Sequence, residues 1–206
     1  MIPLSQLTFF ILASIALIFT PGPDIIYVVT RGIAQGRKAA LAAAAGFALG
    51  NFVHILLSVI GLSALLAAST IAFTTVKWAG AAYLVYLGVQ MIRSTFTVPL
   101  TADAPVLSAW RVFQQSIIAN IMNPKVILFF LAFFPQFINA DRGNPQVQII
   151  LLGTLFVVLV MICFGTVGLC SGWFGQLLRR NARAELLIGK IAGSVLILLG
   201  VSLALG

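Results

Sequence analysis

The sequence predicts an all-α integral membrane protein of six transmembrane helices, arranged as two inverted three-helix repeats with broken first and fourth helices. Three observations point to it. Hydrophobic residues make up 61% of the 206 residues and charged residues 8%, with a mean hydropathy of +1.14; a soluble domain carries roughly a quarter charged residues. The apolar residues form long continuous stretches, not the alternating pattern of barrel strands. Two of those stretches are interrupted by proline beside a charged residue. At about 20 residues per span the length leaves no room for a soluble domain. One transmembrane domain is therefore expected over 1–206, with half one at about 1–93 and half two at about 111–206.

The stretches run over residues 4–30, 39–67, 76–92, 112–137, 147–173 and 184–205. Between them lie 31–38 with two glycines, 69–75 with Ser and Thr, 93–111 with two prolines, 139–146, and the basic 179–183. No Lys or Arg precedes Arg31, so the first stretch lacks the basic leader of a cleavable signal and is expected to be retained. Cys163 and Cys170 lie seven residues apart on one stretch. That is about 10 Å of helical rise, too far for a disulfide.

The basic residues set the expected orientation. Arg31, Arg37 and Lys38 follow the first stretch, Arg93 and Arg111 bound the loop after the third, and Arg179, Arg180 and Arg183 follow the fifth. The opposite side shows Arg142 and Lys77. Lys and Arg accumulate in cytoplasmic loops, so both termini are expected outside. The net charge of +8 is accounted for by these loops, and no nucleic-acid partner is expected.

Three small-xxx-small pairs, Gly46/Gly50, Gly168/Gly172 and Gly189/Gly193, point to closely packed helices. They serve packing within one chain or a homodimer equally well. Gly46, Gly50, His54, Ser58 and Gly61 share one helical stripe, which is expected to face protein.

The chemistry is expected at the two breaks, Thr20-Pro21-Gly22-Pro23-Asp24 and Asn123-Pro124-Lys125. Proline removes an N–H and crowds the carbonyl four residues earlier. In hydrocarbon such backbone survives only buried in protein or lining a wet cavity. Interrupted helices at matching places in two halves are the sequence pointer to a transport site. A charge at membrane depth is a functional candidate. Asp24 and Lys125 can bind the ammonium and carboxylate of a zwitterion, and Asp24 can carry a coupling proton. Alternatively, the two merely pair with each other, or Asp24 caps the resumed helix. Counting helical rise puts Asp24 about 10 Å and Lys125 about 20 Å from the cytoplasmic arginines, so unless unwinding shifts them they lie at different depths and need not touch directly. Tyr27, Asn51, Asn120 and Asn123 complete the candidate substrate-binding set of Pro21, Gly22, Pro23, Asp24, Pro124 and Lys125. Ser116 shares a face with Asn120 and Asn123, and the lone His54 reads as a packing residue.

With "TPGPD" at the first break, "GRKAALAAAAGFALGNFVH" entering the second span, "AAYLVYLGVQMIRS" in the third and "NPKVILFFLAFFPQF" in the fourth, the chain resembles the LysE/RhtB family of amino-acid exporters. The resemblance covers nearly the whole chain. It implies a multi-pass protein of the bacterial inner membrane that exports small amino acids or derivatives, driven by the proton motive force. The threonine, homoserine and homoserine lactone branch is the most similar. It further implies that residues 21–24 and 123–125 hold the family's functional motifs.

Two other classes remain to be weighed. An intramembrane enzyme needs a nucleophile with a base or a metal set, and no H-E-x-x-H or G-x-S-x-G occurs; no enzyme activity, metal or cofactor is expected. A passive channel or non-transport membrane subunit needs no protonatable carboxylate in a broken helix. The partners expected are therefore an amino acid, protons and the lipid bilayer.

Overall fold

Among the described residues helix covers most of each apolar stretch, and it breaks beside Pro23 in the first and Pro124 in the fourth. A computed structural model describes residues 3–20, 22–68, 70–93, 106–171 and 182–205. Eight α-helices lie among these: α1 (Leu4–Phe19), α2 (Pro23–Gln35), α3 (Arg37–Ala68), α4 (Thr70–Arg93), α5 (Ala109–Ile121), α6 (Pro124–Leu128), α7 (Pro145–Leu169) and α8 (Ala182–Leu205). The count exceeds six because the first and fourth stretches each supply two helices. Pro21, the loop residues between Arg93 and Val106, Gly172, Arg179 and Arg180 lie outside the described residues.

Two expected loops are shorter than their composition suggested. Residues 31–35 continue α2, and the chain turns only at Gly36, whose φ of 80° favours glycine. The Ser/Thr-containing 69–75 is helical from Thr70 onward. The Thr75 hydroxyl donates to the Ile71 carbonyl at 2.9 Å, so the side chain is satisfied within the helix and has no need to end it.

Helix α3 over Arg37–Gly61 and α7 over Pro145–Leu169 are each long and apolar enough to cross a membrane. Helices α1 and α2 meet that standard only as a pair bent by 59°, and α5 with Pro124–Phe137 as a pair bent by 46°. By length and composition the described residues thus give two candidate spans, or four if each bent pair is one span, with Gly189–Leu205 of α8 a shorter apolar helix. Leu49, Phe52, Leu56, Leu57 and Ile60 of α3 and Ile150, Leu151 and Ile162 of α7 are exposed, as a lipid-facing surface requires and a soluble one does not.

Glycine sets how closely the helices approach. A methyl group at Gly46 would run into the Phe113 carbonyl oxygen and Ser116 Cβ, and one at Gly50 would sit 2.8 Å from Asn120 Oδ1. Helix α3 therefore lies directly against α5. Of its predicted stripe, Gly46, Gly50, His54 and Ser58 face protein, whereas Gly61 meets open space. Helix α4 packs along α8, where Gly88 and Gly193 abut each other's carbonyls. After α6 the helix widens to a π turn (Phe129–Phe133) and then tightens to a 3-10 turn (Phe134–Phe137). Pro135 has no N–H for the Leu131 carbonyl, which removes one rung of the regular ladder. The π turn sends Phe129, Phe130 and Phe133 into an aromatic core with Phe10, Phe134, Phe137 and Phe156, and this core backs the second break.

Candidate functional site

Both breaks follow from local chemistry. Helix α1 ends at Phe19, and the Thr20 N–H and hydroxyl both fold back onto the Ala16 carbonyl at 2.9 and 2.8 Å. Gly22 is extended (φ −167°, ψ 177°) and Pro23 opens α2, the place where a missing N–H costs least. In the second break Met122 leaves helical geometry and Asn123 is extended (φ −75°, ψ 111°). The Asn123 Oδ1 accepts the Lys125 N–H at 3.0 Å, an N-cap for α6 with Pro124 in its first turn.

The two breaks meet through a buried ion pair. Lys125 Nζ lies 2.8 Å from Asp24 Oδ2 and 3.1 Å from Oδ1. It also donates to the Thr20 carbonyl at 3.1 Å and the Leu17 carbonyl at 3.3 Å. Asp24 Oδ1 accepts the Ile25 N–H at 3.0 Å. Lys125 is 6% exposed and Asp24 3%, so each charge depends on the other. Helix ends reinforce the arrangement: the ammonium sits at the negative C-terminal end of α1, and the carboxylate in the positive first turn of α2. Gly22 makes room for it, since a Cβ there would lie 2.8 Å from Asp24 Oδ1 and 3.3 Å from Lys125 Nζ.

Asp24 and Lys125, which the sequence left free to touch or not, are in direct contact. Counting rise along straight axes ignores the 59° and 46° bends, and the four-carbon stem of lysine spans the remaining gap.

Beside the pair is a cavity of ≈ 10 Å³, the room of about one water. Its polar lining is Asp24, Lys125, Asn51 and Asn120, and its apolar lining includes Leu17, Ile18 and the α7 side chains Phe156, Val160 and Phe164. Asn51, fully buried, donates its amide to the Phe47 carbonyl at 2.7 Å and leaves Oδ1 without a partner. Asn120 Oδ1, Asn123 Nδ2 and Ser14 Oγ are also buried without partners. Unpaired buried polar atoms cost about 1–3 kcal/mol each, and of these residues Asn51 and Asn120 line the cavity beside the two charges.

The structure therefore brings together Gly22, Asp24, Asn51, Asn120 and Lys125, with Asn123, Pro23 and Pro124 shaping the breaks. Pro21 lies outside the described residues. Tyr27 stands apart: its hydroxyl donates to Gln115 Oε1 at 2.7 Å, and its ring lies 5.0 Å below the Arg31 guanidinium. Sequence reasoning missed the Leu17 and Thr20 carbonyls, Ser14 and the α7 wall. The wall had a legible signal, since Phe156, Val160 and Phe164 recur every four residues on one helical face. Among the described residues no group of three His, Cys, Asp or Glu can hold a metal ion.

A family model described as LysE type translocator matches residues 15–206. The chain is 36% identical over 198 residues to a homoserine/homoserine lactone efflux protein of Salmonella typhi, covering 95% of this chain and 94% of that protein. It is 30% identical over 202 residues to a leucine efflux protein of Klebsiella pneumoniae, covering 98% and 93%. An uncharacterized membrane protein of Vibrio cholerae is 32% identical over 195 residues, covering 95% and 94%. No solved structure matches the chain.

Proposed function

The chain belongs to the LysE type translocator family, and from that premise we propose that it is a secondary active exporter of small amino acids or their derivatives, coupled to protons. Threonine, homoserine and homoserine lactone are the leading substrates. The setting is the bacterial inner membrane, with six spans in two inverted three-helix halves and both termini outside. The observation that carries the reading is the buried Asp24–Lys125 pair at the meeting point of two broken helices.

A zwitterionic amino acid offers the two groups that this pair already contains. Its ammonium can take the place of Lys125 at the Asp24 carboxylate and the Leu17 and Thr20 carbonyls. Its carboxylate can take the place of Asp24 at Lys125. The partnerless Asn51 and Asn120 oxygens add acceptors for the ammonium or a side-chain hydroxyl, and Phe156, Val160 and Phe164 give an aliphatic side chain an apolar wall. A cavity of ≈ 10 Å³ is too small for any amino acid. Entry therefore requires the breaks to open, which suits a gated carrier better than an open channel. A proton arriving on Asp24 cancels its charge, loosens its hold on the ammonium and so links release to the gradient. The efflux names of the relatives at 36% and 30% identity support the substrate class, and their difference leaves the side chain to experiment.

The test is transport by purified protein in proteoliposomes, using threonine, homoserine, homoserine lactone, leucine and lysine with and without an imposed pH gradient. At least one small neutral member is expected to move faster with the gradient than without it. No gradient-stimulated movement of any of the five would remove the proposal; equal movement of a substrate with and without the gradient would favour a passive channel.

A further inference from the structure

In each break a proline takes the regular helical donor from a carbonyl on the preceding turn. An uninterrupted helix would serve the Leu17 carbonyl from residue 21 and the Asn120 carbonyl from residue 124, and both positions are proline. The Leu17 oxygen instead accepts the Thr20 N–H at 3.2 Å and Lys125 Nζ at 3.3 Å. The Asn120 oxygen instead accepts the Asn123 N–H at 3.0 Å and His54 Nε2 at 3.2 Å. The two side-chain donors cross between the halves of the chain in opposite directions, Lys125 of α6 reaching α1 and His54 of α3 reaching α5.

His54 is built for this contact. It is 4% exposed, and its ring stacks on Phe130 with centroids 5.5 Å apart and planes 19° apart. The Ser58 hydroxyl donates to its main-chain carbonyl at 2.8 Å. A carbonyl oxygen only accepts, so the Nε2 of His54 must carry a hydrogen. The imidazole does not line the cavity; it touches the residue whose partnerless Oδ1 does. We propose that His54 is a positioning residue for export. Its bond holds the α5–α6 break in the shape that presents Asn120 and Lys125 to the cavity, and the bond must yield when the breaks open. This rests on the exporter reading above.

Two measurements test it. In proteoliposomes under a pH gradient, carrying in radiolabelled form whichever of the five substrates above the wild type moves, His54→Phe keeps the ring stack and removes the donor. Its maximal rate is expected to fall about tenfold, the effect of losing one of the two donors on a buried acceptor at about 1 kcal/mol, with KM within about twofold because the ring is outside the cavity. His54→Gln restores an N–H donor at similar reach and is expected to recover most of the rate. A wild-type rate in His54→Phe, or equal losses in Phe and Gln, overturns the role. The second measurement needs no substrate. His54 is the only histidine, so ring-15N histidine gives one set of signals in lipid, expected to show a protonated, hydrogen-bonded Nε2. A bare Nε2 overturns the bond whatever the transport result. Wild-type protein that carries none of the five substrates overturns the exporter reading and the role together, while the histidine signal still decides the bond.

Discussion

Asp24→Asn is expected to abolish gradient-driven accumulation of amino acid while leaving folded protein in the membrane. The chain has four acidic residues, Asp24, Asp103, Asp141 and Glu185, and Asp24 is the one at the breaks. Asparagine matches its size, and its amide oxygen can still accept from the Ile25 N–H and the Lys125 ammonium. What it lacks is a charge and a proton that can come and go. Loss of the carboxylate leaves the ammonium with the Leu17 and Thr20 carbonyls and an amide, so the break keeps most of its polar contacts. The measurement is pH-gradient-driven uptake in proteoliposomes, with thermal unfolding in detergent to show that the variant is folded. A drop of about a hundredfold or more in accumulation is expected, because no carboxylate remains at the breaks to exchange a proton with the gradient. Wild-type accumulation by a folded Asp24→Asn protein would remove Asp24 from coupling.

Lys125→Ala is expected to have the larger effect on stability. It leaves the Asp24 carboxylate, 3% exposed, with a single N–H donor, and it strips a donor from two carbonyls of the α1 terminus. Breaking a buried ion pair from one side costs about 3–5 kcal/mol, against a total stability of about 5–15 kcal/mol for a typical domain. Adding Asp24→Asn to Lys125→Ala removes the orphaned charge, so the double variant is expected to unfold at a higher temperature than Lys125→Ala alone. Losses that simply add would mean that the two residues are not coupled. Arginine is a poor substitute at this position, because its planar fork cannot reproduce three bonds from one nitrogen.

The breaks were readable in the sequence because proline and glycine act through their own backbone. Pro23, Pro124 and Gly22 shape the chain whatever surrounds them, and both interruptions lie where they were expected. The facing of Gly46, Gly50, His54 and Ser58 was also readable, because helical spacing alone fixes a stripe. Contact between Asp24 and Lys125 was not, since it depends on two bend angles that no local pattern encodes. Tyr27 sits one turn after Asp24, yet its ring follows the α2 face toward Arg31 and Gln115, away from the cavity. Composition misled at 69–75, where the Thr75 hydroxyl, of a kind that marks loops in water, bonds to the helix's own Ile71 carbonyl. The bond from His54 to Asn120 pairs residues 66 apart in sequence, and only the assembled packing of α3 on α5 brings them together.

The central claim is that amino acid and proton exchange at the Asp24–Lys125 site. Its most direct measurement is proton movement driven by substrate alone: proteoliposomes loaded with the transported amino acid, at equal pH on both sides, followed with a trapped pH dye. Wild-type protein is expected to acidify the vesicle interior as amino acid leaves, and Asp24→Asn protein to show no change. Amino-acid efflux from wild-type vesicles with no accompanying proton movement would contradict it.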